Sequence, residues 1–134
     1  MKFLMLAYYD EKAFEKTTPE EMQAVVARCG PLDQALYATG KMEMVASLAA
    51  TQATMSVRPK GGKPSVTDGP YVETKEQLGS FFLVEAADMQ EAIKLASMHP
   101  AANLGENMGW GIEIRPIEFC RAFAKADQAG MSKT

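Results

Sequence analysis

The 134-residue sequence predicts a single α+β domain, a mostly antiparallel sheet with its helices on one face. Three observations carry this. Apolar runs of strand length alternate with two stretches of helical periodicity. Each helical stretch opens on a capping signal. The order of elements is strand, helix, strand, hairpin, strand, helix, strand, which repeats one βαβ-like half twice.

Phe3 to Tyr9 is a continuous apolar run, the pattern of a central strand buried on both faces. Asp10-Glu11-Lys12 follows at once with no small-residue cleavage site, so the run reads as a strand and not as a signal peptide. Thr18-Pro19-Glu20-Glu21 then starts a helix, with Thr18 as N-cap, Pro19 at the first helical position and Glu21 closing the capping box. Met22, Val25, Val26, Cys29, Leu32 and Leu36 make its apolar stripe, and Gly40 is its stop. Pro31 lacks the N–H that would bond the carbonyl of Ala27, so a kink or a break into two pieces is expected there.

Met42 to Leu48 and Thr54 to Arg58 read as strands. The turn 59–64, all Pro, Lys and Gly, joins the latter to Ser65-Val66-Thr67 in a protruding hairpin. After Gly79, Ser80 to Glu85 is again apolar on both faces. Asp88 and Glu91 cap a helix whose stripe is Met89, Ala92, Ile93 and Ala96 and which ends before Pro100. Gly111 to Ile117 is the last strand. Residues 1–119 thus form the domain and 120–134 a C-terminal tail. Met22, Met42, Met44, Met55 and Met89 fall on expected core faces as gap fillers.

This order is the ferredoxin-like pattern. Helices on one face leave the other uncovered, although two strands are apolar on both sides. A second copy of the sheet is the simplest cover, so a homodimer forming a dimeric α/β barrel is expected.

The composition, 47% hydrophobic and 23% charged, is that of a soluble globular protein. A net charge of −3 without a basic cluster gives no support to nucleic-acid or membrane binding. Cys29 and Cys120 lack CxxC spacing and His99 is the only histidine. No metal or other cofactor is therefore expected, and a reducing cytoplasm suits the chain. No GxGxxG, P-loop, HExxH or GxSxG motif occurs.

The densest polar segment is Thr67-Asp68-Gly69-Pro70-Tyr71-Val72-Glu73-Thr74-Lys75-Glu76-Gln77-Leu78-Gly79. With the apolar strand and helix after it and Ile112-Glu113-Ile114-Arg115-Pro116-Ile117, it resembles the YCII-related superfamily. The likeness runs from Met1 to about Phe119. Within that superfamily the chain is similar to the group named for an Asp-Gly-Pro-Phe motif, with Tyr71 in the Phe place. The resemblance implies a dimeric α+β barrel. It also implies either small-molecule chemistry, as in a dehydrochlorinase of aromatic breakdown, or a link to extracytoplasmic sigma factors. The catalytic pair proposed in the better-studied branch, a His near the start of the first helix and an Asp before a Pro after the last, is not matched. The first helix opens on Glu20, Glu21 and Met22, and the residue before Pro100 is His99.

Several residues are candidates for a site. Asp68 is either a turn residue or a carboxylate held at a pocket rim by Gly69 and Pro70. His99 is either a helix-end contact or the one side chain whose unperturbed pKa suits proton transfer near neutral pH. Glu113 and Arg115 share the strand face opposite Ile112 and Ile114, as a structural ion pair or an anion site. Tyr8, Tyr9 and Tyr71 are possible cavity walls, and Trp110 is a wall or an interface anchor. Glu73, Lys75 and Glu76 read as a solvated loop.

The preferred reading is a cytoplasmic homodimer whose barrel binds a small, partly apolar organic acid or aromatic and catalyses cofactor-independent proton transfer, such as isomerisation or elimination. Asp68, ahead of His99, moves the proton. Arg115 with Glu113 holds the ligand between Tyr8 and Tyr71. The rival is a non-enzymatic ligand-binding or regulatory module.

Overall fold

The computed structural model describes residues 1–124. In order they form β1 (Lys2–Asp10), α1 (Glu11–Lys16), α2 (Pro19–Tyr37), β2 (Met42–Ser47), β3 (Met55–Lys60), β4 (Lys63–Asp68), β5 (Glu76–Glu85), α3 (Met89–Ala96), α4 (Pro100–Asn103) and β6 (Gly111–Pro116). Single 3-10 turns lie at Thr51–Ala53 and Glu106–Met108. Most of the expected tail lies outside the described residues.

The main sheet has the strand order β2-β5-β1-β6, antiparallel throughout. Each βαβ half is split. β5 lies between β1 and β2, and β1 lies between β5 and β6, so the two halves interlock. Phe3, Met5, Phe82 and Val84 are fully buried and pack with Leu36 of α2 and Ala92, Leu95 and Ala96 of α3. Ile112 and Ile114 pack against the same cluster. Strand alternation sends Leu4, Leu6, Phe81 and Leu83 to the opposite face, outside that core and only half-buried. The architecture is therefore α+β with an antiparallel sheet. The single chain closes no barrel, because four strands end in the free edges β2 and β6 and are too few to curl shut.

Local chemistry explains the element ends. The Thr18 hydroxyl accepts from the N–H of Glu21 at 3.2 Å and donates to its carboxylate at 3.0 Å. The Asp88 carboxylate accepts from the N–H of Glu91 at 2.9 Å. Both are the capping signals read from sequence. α1 and α4 were not anticipated. Asp10 caps α1 by accepting from the N–H groups of Lys12 and Ala13, and His99 caps α4 with Pro100 at its first position.

Other expectations need correction. α2 is one helix through Pro31, not two pieces. The residue before Pro31 is Gly30, and without a Cβ it escapes the clash that drives other residues out of helical geometry. β5 begins at Glu76, ahead of Gly79, which is the extra residue of a bulge opposite the Ala7/Tyr8 step. Of the methionines expected in the core, Met42 packs against it, whereas Met44 and Met55 are 56% and 57% exposed. Met5 and Met108 are the buried ones. Met44 lies on the sheet face away from the helices, and Met55 belongs to the hairpin.

That hairpin is the separate two-stranded sheet β3-β4. Gly61 and Gly62 form its turn with φ of 60° and 79°, the left-handed pair that a two-residue hairpin loop requires.

Candidate functional site

On the helix side of the sheet, between α2, α4 and the ends of β1, β2 and β5, lies a cleft of about 490 Å³. That is within the range of small-molecule sites. Tyr9, Phe14, Tyr37 and Trp110 supply aromatic walls, Ser47 and Ser80 supply hydroxyls, and Cys29, Asp33 and His99 bring titratable groups.

Two glycines shape the walls. Gly79 carries no Cβ because one there would stand 2.8 Å from the Tyr9 ring. Gly105, at φ +70°, lies flat under Trp110, where a Cβ would approach the indole to 2.2 Å. The Tyr9 hydroxyl donates to Glu11 at 3.1 Å. The same carboxylate accepts from the Thr51 hydroxyl at 2.6 Å and the Thr51 N–H at 2.9 Å. These bonds, led by the Thr51 hydroxyl, pull the Glu11 pKa below its ordinary value and tie the start of α1 to the turn after β2.

His99 is the most constrained polar group in the cleft. Its ring stacks on Phe82 with centroids 4.7 Å apart and planes within 7°. Its Nδ1 accepts from the N–H of Ala101 at 3.0 Å. An accepting Nδ1 carries no proton, so in the neutral ring the proton is on Nε2. Burial pushes the His99 pKa below the ordinary histidine value, and the nearby Asp33 carboxylate opposes this without reversing it. His99 is thus a neutral ring whose Nε2–H is its donor, and not a cation at a helix C-terminus. Cys29, one turn before Asp33 on α2, has its thiol pKa raised by burial and then by Asp33. It is held as a neutral thiol.

The residues singled out from sequence fall in three places. His99 lies in the cleft. Tyr8 also lines it and, with Trp110, Lys75 and Glu113, lines a second groove. Glu113 and Arg115 stand opposite Leu6 and Leu4 in the register, on the sheet face away from the helices. Both are exposed in the single chain, and Arg115 makes no ion pair among the described residues.

Asp68 and Tyr71 are on the hairpin and line neither groove. Asp68 is exposed. Gly69, at φ +96°, bonds its N–H to the Thr54 carbonyl at 2.8 Å and accepts from the buried Ser56 hydroxyl at 2.7 Å. Arg58 donates to the Tyr71 carbonyl and lies 4.0 Å over the Tyr71 ring. In the single chain the bonds of Ser56, Arg58, Gly69 and Tyr71 close the hairpin, and the Asp68 carboxylate takes no part in them. Asp68, His99 and Arg115 do not converge within one chain.

Sequence reasoning missed Asp33 and gave Cys29 only a core role. The available signal was their i, i+4 spacing, which places both on one side of α2. Among the described residues no three His, Cys, Asp or Glu side chains are grouped to hold a metal ion, and no helix is long and apolar enough to cross a membrane.

The sequence matches the YCII-related domain over residues 1–117. The chain belongs to the YCII-related family. An uncharacterized protein of Rhizobium meliloti (strain 1021) is 32% identical over 117 residues, spanning 87% of this chain and 92% of that protein. The match takes in every element from β1 to β6. The cleft and its glycine-shaped walls therefore belong to the YCII-related domain and not to the tail.

Proposed function

We propose that this YCII-related protein binds a small, partly apolar organic molecule in the His99 cleft, and that His99 acts there as a neutral donor to an oxygen or nitrogen of the ligand. The observation that carries this is the pinned ring. Stacking on Phe82 and the bond from Ala101 fix both the orientation and the tautomer of the one histidine, and do so at the wall of a cavity of ligand size. A neutral imidazole with a fixed Nε2–H polarises a carbonyl or stabilises a developing negative oxygen. This chemistry fits cofactor-independent isomerisation or elimination.

Trp110, the sole tryptophan, lines the same cleft and reports on it. Screening small aromatic and aliphatic compounds by Trp110 fluorescence, with His99 ring signals followed by NMR, should find compounds that shift both. His99→Asn keeps an acceptor for the Ala101 N–H, so it should weaken that binding about tenfold with little change in melting temperature. Compounds that bind equally well to His99→Asn would remove His99 from the site.

The same reading includes a homodimer. Leu4, Leu6, Phe81, Leu83 and Met44 make an apolar sheet face outside the core, and a second sheet laid on it completes a barrel. Arg115 and Glu113 then face the partner's sheet. Sedimentation at low micromolar concentration should give a dimer, and a monodisperse monomer would overturn the barrel.

A further inference from the structure

We propose that the ligand of the His99 cleft is an organic cation, an ammonium compound whose compact, partly apolar body carries an oxygen that accepts from His99, its charged end seated on the Asp33 carboxylate among aromatic rings. This deepens the small-molecule reading of the same cleft and rests on it.

Asp33 is the one side chain lining the cleft that carries a full charge at neutral pH, and among the described residues no Lys or Arg lines it. Asp33 is half-buried on the inner side of α2 and has no hydrogen bond or ion pair among the described residues. A carboxylate drawn partly out of water gains from a positive partner. His99 does not fill that role, because its Nδ1 already accepts a backbone hydrogen bond and burial favours the neutral ring.

The walls point the same way. Tyr9, Phe14, Tyr37 and Trp110 present π-systems to one space. Aromatic faces carry negative potential and attract ammonium groups, while alkyl or aryl parts of a ligand gain from the same surfaces. An anion would meet Asp33 with neutral donors alone to offset it, the Nε2–H of His99 and the hydroxyls of Ser47, Ser80, Tyr8 and Tyr37, and no cation. A neutral ligand would offer Asp33 at most a neutral hydrogen bond, weaker than one from a charged donor. The expected site for an organic acid relied on Arg115, which stands on the opposite face of the sheet.

The test uses the full chain and three probes of closely similar size, benzylammonium, benzyl alcohol and benzoate, titrated by calorimetry and Trp110 fluorescence. The ammonium compound should bind at least about tenfold more tightly than the alcohol, with benzoate weakest. Asp33→Asn should remove that preference and leave the alcohol unchanged. The wild-type ratio of ammonium to alcohol needs no variant and decides the question even if Asp33→Asn folds poorly. Equal binding of ammonium and alcohol would overturn the cation, and weaker binding of the alcohol to His99→Asn would keep the cleft as a small-molecule site. Preferential binding of benzoate would also overturn the cation and keep the cleft. If no probe perturbs Trp110 or releases heat, both readings fall.

Discussion

α2 and α3 cover the same face of one sheet, yet they are built for different tasks. α2 is 19 residues long and buries only Leu36. α3 has 8 residues and buries Ala92, Leu95 and Ala96. α3 lies on the sheet as packing, its small alanines letting the helix approach while Leu95 fills the gap. α2 meets the core only near its C-terminal end and spends the inner side of its middle, Cys29, Asp33 and Tyr37, on the cleft wall. A long helix that buries little is poor value as a structural cover and well placed as one side of a binding cavity. The difference teaches that in this fold helix length does not measure contribution to the core.

Truncating a side chain on α3 should cost more than truncating one on α2. Leu95→Ala should destabilise the protein by about 2–5 kcal/mol, read from urea unfolding. Cys29→Ala on α2 should cost less than about 1 kcal/mol. Equal losses would mean that α2 packs as tightly as α3.

Next in size is the wall opposite α2. Gly105→Ala forces a side chain into left-handed backbone geometry and into the indole. It should cost about 1–3 kcal/mol and shift Trp110 emission to the red as the ring is displaced. Unchanged emission would show that the indole does not depend on Gly105.

A smaller effect tests whether the cleft keeps its histidine neutral. With the His99 pKa lowered in the folded state, the unfolded chain takes up its proton first as pH falls through 6.5. Stability tied to His99 is therefore complete above that value and declines as pH falls toward the lowered folded pKa. The slope is at most about 1.4 kcal/mol per pH unit. His99→Asn should flatten this part of the curve, and a slope that survives the substitution would assign it to other groups.

The smallest effect separates the two cysteines. Cys120 is exposed, whereas Cys29 is half-buried with a raised thiol pKa. A thiol reagent should label Cys120 first, and a cleft ligand should slow Cys29 further. Faster labelling of Cys29 would show that α2 opens away from the sheet.

Local chemistry made much of the fold legible in the sequence. The capping boxes at Thr18 and Asp88, the two-faced apolar runs of β1 and β5 and the glycine turn of the hairpin are signals confined to a few neighbouring residues. α1 and α4 escaped because they are short and follow closely on longer elements: Asp10 is also the last residue of β1, and His99 comes three residues after the end of α3. Gly79 looked like a boundary and is a bulge, since only pairing with β1 reveals an unopposed residue.

The site was far less legible. The segment around Asp68 is the most distinctive stretch of sequence, but its hydrogen bonds serve the hairpin. The cleft instead gathers Tyr9, Asp33, His99 and Trp110 from distant points of the chain. The sequence by itself determined the strands, the principal helices, their caps and the face on which Glu113 and Arg115 lie, because periodicity and capping act over a few residues. Only the tertiary structure decided that Asp33 and His99 share a cavity while Asp68 and Arg115 stand apart. Which side chains meet across a sheet depends on strand order, register and one bulge, and these arise from long-range pairing that no short stretch of sequence encodes.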